Sequence, residues 1–357
     1  MTPATGDLAT LRPQRGVLRR LKDFCLLLLG AGAVIPAVIN HMRGRQIPHK
    51  AWEALMRAHC ASNGRLSDFL DGAVRLLQPG RPPADVTGLL GPFTVADQRR
   101  VADAIARDGY YIFDSTMPEE ICAEIEAFAM RVPAMIDGEL DQSNELVAYE
   151  PINPKGHLYK IREQDAAECD AIQALMADEA LLAIAEAYLG TRTVVGGIDT
   201  WWSTAYGNGP SDNAAQAYHF DFDAPPRWLK LFVYVTPVSS ESGPHVYVKG
   251  SHRGSLAASK KLLSRGYVRI PDNEIENAFG IESCMELTGP RGMTFIADTR
   301  GFHKGKHPRA GHRLISQLIY CSPLFNNHAP RPPKLRHVSP ALQAAMSKSG
   351  QVYSRYR

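Results

Sequence analysis

The sequence offers no CxxC pair: its six cysteines, Cys25, Cys60, Cys122, Cys169, Cys284 and Cys321, stand far apart along 357 residues. That excludes the dense disulfide framework of small secreted domains, and the thiols read as reduced and mostly buried in a cytoplasmic protein. Net charge is scarce too. The 40 Lys plus Arg against 37 Asp plus Glu leave only +3, too little for a global attraction to nucleic acid, so no nucleic-acid partner is expected. Neither an internal repeat nor a low-complexity tract is present, which sets repeat architectures aside. One apolar run, Phe24 to Ile39, counts sixteen apolar, glycine or proline residues, short of the about 20 that a membrane-crossing helix needs. Gly30, Gly32 and Pro36 weaken it as a continuous helix. A signal peptide fits poorly, because more than twenty residues precede the run and no small-residue cleavage site follows. It reads as a buried helical hairpin; its basic flanks, Arg19, Arg20, Lys22, Arg43 and Arg45, keep open a shallow contact with the inner face of a membrane.

What is present is room and pattern. The length suits one large domain or two modest ones, either with space for a buried site. Residues 1 to about 20 lack apolar periodicity. Between 50 and 78, helical spacing broken at Ser62, Asn63 and Gly64 predicts two short helices, and "QPGRPPADVTG" predicts a linker at about 78 to 90. Residues 1–90 are therefore expected to form a helical appendage. Thr94 with Asp97 makes a capping-box variant before a helix that stops at Gly109. "YYIF" is a short strand, "MPEEICAEIEAFAMRV" a second helix with Pro118 and two glutamates in its first turn, and Ala171 to Gly190 a third helix closed by glycine.

From Thr191 onward the period changes. "TVVGGIDTWWSTAY", "WLKLFVYVTPV", "PHVYVKGS", "GMTFIADT" and "RLISQLIYCS" are short, rich in β-formers and separated by glycine and proline clusters. Helices in front and strands behind predict an α+β chain with an antiparallel sandwich or barrel over 91–330 and a tail at 331–357.

"QAYHFDFDAPP", Gln216 to Pro226, places His219, Asp221 and Asp223 on one face of a strand, with Phe220 and Phe222 on the other. An imidazole and a carboxylate two residues apart can share one metal ion. With a third ligand they make the 2-His-1-carboxylate face of non-haem Fe(II) oxygenases, which leaves positions open for other ligands. Alone, HxD is a weak signal. Of the downstream histidines, His303 follows directly on a strand and tight turn, whereas His307 precedes a proline and His312 abuts Arg313, so both read as loop histidines. Arg313, Ile315 and Gln317 share a face of the last strand. A guanidinium there is costly unless it pairs with an anion, and a planar carboxylate matches its fork; a structural ion pair is the plain alternative.

In order, "YHFDF", "WLKLFVYVTPVSSESGPHVYVKGSHRG", "GMTFIADTRGFHKG" and "GHRLISQLIY" resemble the successive blocks of the phytanoyl-CoA dioxygenase family of Fe(II)/2-oxoglutarate oxygenases, over roughly residues 90 to 325. The resemblance implies a double-stranded β-helix, a jelly-roll or cupin-like barrel, buttressed by the N-terminal helices. It implies Fe(II) on His219, Asp221 and His303, Arg313 on the distal carboxylate of 2-oxoglutarate, O2 as oxidant and hydroxylation as the default outcome. Asp221 argues against halogenation, because related halogenases carry a small residue there. Many members have a serine two residues after the distal histidine, where this chain has Gly305, so the pocket must complete that contact differently. Tyr206, and Lys160 or Arg162, are the candidates for further cosubstrate contacts. His252 reads as structural.

The substrate is less legible. A small-molecule or lipid-linked metabolite is expected, with Trp202 and Asp223 as candidate contacts; Trp201 and Trp202 point to opposite faces, so at least one belongs to the core. Asp223, one strand step beyond the ligand, is expected to end the strand or touch substrate at the rim. Two other readings stay open: a cupin-like metalloenzyme that does not use 2-oxoglutarate, and a non-catalytic membrane-associated scaffold that retains the fold. Arg313 separates the first from an oxygenase, and the intact triad argues against the second.

Overall fold

Two left-handed residues, Asn63 and Gly64, break the first helical stretch into α1 (His49–Ser62) and α2 (Arg65–Leu77), as the polar break in the sequence predicts. The computed structural model describes residues 32, 34–39, 47–136, 146–207, 209–211, 215–223, 225–324 and 334–356. A short hairpin, β1 (Val86–Gly88) and β2 (Gly91–Phe93), leads into α3 (Val95–Asp108), where Thr94 and Asp97 close the expected capping box. Gly109 ends α3 at φ 91°, and a Cβ there would meet Tyr247 Oη at 2.3 Å. Glycine alone satisfies both the left-handed backbone and the close approach. After β3 (Tyr110–Ile112) comes α4 (Glu119–Arg131).

The single helix expected from Ala171 to Gly190 is two, α5 (Asp170–Ala177) and α6 (Glu179–Leu189). Asp178 breaks it: its backbone is extended, and its carboxylate accepts the Leu181 amide at 2.8 Å and the Leu89 amide at 2.5 Å. An aspartate that can cap a new helix competes with continuation of the old one.

The strands build an antiparallel seven-stranded sheet in the order β3, β10 (Thr294–Ala297), β7 (Trp228–Tyr234), β12 (His312–Cys321), β6 (Val194–Thr204), β5 (Leu158–Ile161), β4 (Met135–Ile136). Opposite it lies a smaller sheet of β11 (His303–Gly305), β8 (His245–Val248) and β9 (Cys284–Leu287), which His219 extends through a bridge to His303. In chain order β6, the 218–223 segment, β7, β8, β9, β10, β11 and β12 pass back and forth between the two sheets, the winding of a double-stranded β-helix. The α+β class and jelly-roll-like core are those expected from the sequence.

Side-chain alternation sets what each face buries. Leu229, Leu231 and Val233 of β7 and Leu314 and Leu318 of β12 pack outward with Leu181, Ile184 and Leu189 of α6. Phe232, Tyr234 and Ile315 point between the sheets with Tyr247 and Phe295. At the burial of whole aliphatic side chains, each contributes about 1.5–3 kcal/mol. α7 (Ala257–Leu263) and α8 (Asp272–Phe279) are followed, after β12, by α9 (Pro340–Lys348), and Leu342, Val352, Tyr353 and Tyr356 are buried in the outer cluster with residues of α5 and α6.

Trp52, Leu55 and Cys60 of α1 cover the back of the 218–223 segment, with Phe220, Phe222 and Trp228. Of the apolar run Phe24 to Ile39, residues 34–39 are helical; Ala37 packs into this cluster while Ile35 and Ile39 are exposed, and the stretch before Gly32 lies outside the described residues. Among the described residues no helix is long and apolar enough to cross a membrane. Cys60, Cys122, Cys169, Cys284 and Cys321 carry free thiols, four of them buried.

Candidate metal centre

The segment expected as a strand at 218–223 is a narrower feature than a regular ladder. His219 and His303 exchange both backbone bonds, at 2.9 and 2.8 Å, and the Asp221 amide donates to Thr299 O at 2.8 Å. Bonding at every second residue is enough to hold the alternation. Phe220 and Phe222 turn back toward His59 and Trp52, and Trp52 Nε1 donates to Phe222 O at 3.1 Å. His219 and Asp221 are thereby aimed into the space between the sheets.

There they meet His303, at the start of β11. One ligand atom from each of His219, Asp221 and His303 lies within 4.8 Å of the other two. His219 Nε2 is 3.6 Å from Asp221 Oδ1, and His303 Nε2 is 3.3 Å from Asp221 Oδ2. Each ring is oriented from behind: His219 Nδ1 bonds Ala217 O and His303 Nδ1 bonds Gly301 O, both at 2.9 Å. A carbonyl only accepts, so each Nδ1 carries the proton and each Nε2 presents its lone pair to the centre. Burial, followed by the neighbouring His303, pushes His219 down to about 3, so its imidazole is neutral.

Lys230 completes the charge balance, and the sequence reading overlooked it. Its Nζ lies 2.7 Å from Asp221 Oδ2 and 2.6 Å from Asp223 Oδ2. Burial alone would raise the Asp221 carboxyl, but the Lys230 ammonium beside it brings it well below the ordinary carboxylate range. The same ammonium is shared with Asp223, where burial wins and the carboxyl is raised. Asp223 thus joins the centre through Lys230 and stands outside the metal-ligand group.

The centre opens on a cavity of about 240 Å³ lined by both sheets. Arg313, Ile315 and Gln317 line it together, as their shared strand face predicts. Arg313 is 4% exposed. Its two terminal nitrogens donate to Gly243 O and, at 3.0 Å, to Ser203 Oγ, while Nε is buried without a partner. Among the described residues no carboxylate pairs with it, so the plain alternative of a structural ion pair is absent. Burial lowers its pKa from the ordinary guanidinium value.

Other expected contacts divide. Lys160 lines the cavity but is held by Asp199, Nζ to Oδ1 2.5 Å, and Asp199 in turn accepts from Gln317 Nε2 at 2.9 Å. Arg162 turns away to Asp165. Tyr206 is 42% exposed, beside His157 and outside the cavity lining. Trp202 is a correction: it is fully buried on the helix side, stacked on Tyr149 at 4.3 Å, and Trp201 faces the cavity. Strand alternation permits one ring of the pair inside, and the fold places the other tryptophan there. His252 bonds Ala106 O, His307 bonds Gln216 and His312 packs on Trp202, so none of the three is a ligand. His245, which the sequence reading passed over, lines the cavity beside His303.

No family model and no curated protein matches the chain. Solved structures do. EctD from S. alaskensis with bound Fe is 19% identical, with 69% of this chain and 83% of that one covered at a TM-score of 0.47. HygX from Streptomyces hygroscopicus, with nickel and 2-oxoglutarate bound, is 14% identical over 68% and 94% of the two chains at 0.44. The non-haem α-ketoglutarate-dependent epimerase SnoN of nogalamycin biosynthesis is 16% identical over 64% and 83% at 0.41. Likeness at this level leaves the chemistry to be decided by the residues of the site.

Proposed function

We propose that the chain is an Fe(II)- and 2-oxoglutarate-dependent oxygenase that hydroxylates an unactivated C–H bond of a small, polar molecule. One observation carries this reading. A 2-His-1-carboxylate donor set and a buried guanidinium without a carboxylate partner share one cavity. Two imidazole lone pairs and one ionised carboxylate suit Fe(II), and no further His, Cys, Asp or Glu among the described residues joins the group, so positions stay open for other ligands. The guanidinium, with a buried N–H left over, suits the far carboxylate of a dicarboxylate whose other end reaches the metal.

When bound, the iron supplies the oxidising chemistry: 2-oxoglutarate, O2 and substrate R–H become succinate, CO2 and R–OH. The side chains do the rest. Ala217 O and Gly301 O hold the two imidazoles in the ligating tautomer. Lys230 keeps Asp221 ionised and ties down one of its oxygens, leaving the other for the metal. Arg313 draws the cosubstrate to one end of the cavity, and Phe232 and Ile315 keep water from its middle. The remaining wall, Lys160, Asp199 and Gln317, is polar and mutually paired, which favours a compact polar substrate over an acyl chain.

The test is anaerobic. Fe(II)-loaded protein titrated with 2-oxoglutarate should develop the visible metal-to-ligand charge-transfer band of a chelated 2-oxo acid, and His219→Ala should lose both iron and band. Iron confirmed at the centre with no band at saturating 2-oxoglutarate refutes the proposal.

A further inference from the structure

A second buried group in the cavity lacks a partner. His245 opens β8 with its ring between the sheets, 6% exposed, and its Nε2 makes no hydrogen bond in the protein. The ring is held firmly. It stacks on His303 with centroids 5.2 Å apart at 17°, and lies 5.0 Å from Phe232 and 5.3 Å from Phe295. Its backbone amide is anchored on Tyr234 Oη at 2.9 Å. A buried ring nitrogen left bare is costly, and rigid packing denies it the option of turning to water.

Its position is as telling as its bareness. His245 pairs directly across the small sheet with Gly305. Opposed residues in antiparallel strands have Cβ positions about 5 Å apart, and a Cβ at Gly305 would meet Arg313 Nη2 at 3.5 Å and no other side chain within 4 Å. Gly305 therefore leaves clear the space between the imidazole and the guanidinium. His245 Nε2 and Arg313 Nε, each buried without a partner, belong to residues that line the same cavity.

We propose that His245 is a cosubstrate-binding residue, its Nε2–H donating to the distal carboxylate that Arg313 grips, across the gap that Gly305 leaves open. This rests on the oxygenase reading and deepens it. Arg313 supplies the charge; His245 supplies a fixed second donor that makes the site select a dicarboxylate. Because Gly305 lies opposite, a hydroxyl introduced there reaches the same carboxylate.

The experiment compares 2-oxoglutarate with 2-oxopentanoate, which is identical but for the distal carboxylate, by equilibrium binding to anaerobic Fe(II)-loaded protein. His245→Phe keeps the ring against His303 and removes the donor. It should weaken 2-oxoglutarate about 10- to 100-fold while leaving iron affinity and 2-oxopentanoate binding unchanged. His245→Gln, which can return an N–H near the same place, should recover most of the loss, and Gly305→Ser added to His245→Phe should recover part. Unaltered 2-oxoglutarate affinity in His245→Phe overturns the assignment, as does an equal loss for both acids, which would trace the effect to the metal. If the parent protein, iron bound, takes up no 2-oxoglutarate, the oxygenase reading itself fails.

Discussion

Replacing Lys230 by methionine removes one charge from the centre and keeps most of the aliphatic stem. The ammonium lies 2.7 Å from Asp221 and 2.6 Å from Asp223, and the side chain is 9% exposed, so solvent screens little of the interaction. Without it two buried carboxylates are left facing each other, and losing one partner of a buried ion pair costs about 3–5 kcal/mol. In a chain of this size the metal-free protein should melt about 4–7 °C lower. A divalent ion restores a positive charge beside Asp221. The deficit should therefore shrink on metal loading, and the metal-induced rise in Tm should exceed the parent's. Protons follow the same logic: Lys230 helps hold the Asp221 carboxyl well below its ordinary value. A depressed carboxyl contributes stability that is present above the unfolded value near about 3.9 and lost as pH falls toward the folded one. In Lys230→Met the carboxylate pair retains a proton to higher pH, and metal must displace it, so metal affinity should climb more steeply with pH than in the parent. Calorimetry of metal-free and Mn(II)-loaded protein, with metal titrations on either side of neutrality, reads both effects. A metal-free Tm within about 1 °C of the parent, together with an equal metal-induced shift, would refute this account of the centre's charge balance.

Arg313→Met should weaken 2-oxoglutarate about 100-fold or more in the same binding assay and leave iron affinity intact; an equal loss for 2-oxopentanoate would remove Arg313 from the distal carboxylate. Asp223→Asn should spare iron binding, since Asp223 stands outside the ligand triad, and loss of iron would identify it as the ligand in place of Asp221. Tyr206→Phe, outside the cavity, should leave 2-oxoglutarate affinity unchanged, and a tenfold loss would restore it as a contact. His59, buried behind the metal segment, is held down to about 4, first by burial and then by Arg300. The unfolded chain takes up that proton below about 6.5 and the folded protein does not, so stability is full above that pH and falls by about 3 kcal/mol as pH drops toward 4. His59→Asn keeps a polar group near Ser67, which His59 Nδ1 bonds at 2.8 Å, and should flatten the denaturation curve over that window; parallel curves would refute it.

Local signals were legible where they were strong and self-contained. The Thr94–Asp97 box, the Asn63–Gly64 break and the five β-rich blocks all name elements that form, because each is decided within a few residues. What escaped depends on distant partners. The sequence pattern across Asp178 is continuously helical, and its local cap on the Leu181 amide is joined by the Leu89 amide from far along the chain in making the break worthwhile. β5 and β9 are four residues each and exist through their neighbours β6 and β8. The helices before residue 90 carry no mark of what they cover, yet Trp52 and His59 fill the space behind Phe220 and Phe222.

The same distinction orders the site. His219 and Asp221 could be paired from the sequence because two residues on a strand share a face whatever surrounds them, and Arg313, Ile315 and Gln317 for the same reason. The choice between Trp201 and Trp202 could not be made, since alternation says that the rings part but not which sheet face is the cavity. Lys230 left a faint trace: a single lysine in "WLKLFVY", two residues from Phe232 and four from Tyr234, must lie on the face those rings bury between the sheets. A charge there is tolerable only with a counter-charge in reach, and carboxylates at 221 and 223, a few residues earlier, were the nearest available. Burial and alternation together thus call for a carboxylate partner to Lys230 without choosing between Asp221 and Asp223, and the folded protein uses both. His245 carried no such requirement. A neutral ring can pass as core, and what marks it is a nitrogen without a partner, a property that exists only once the two sheets have closed around it.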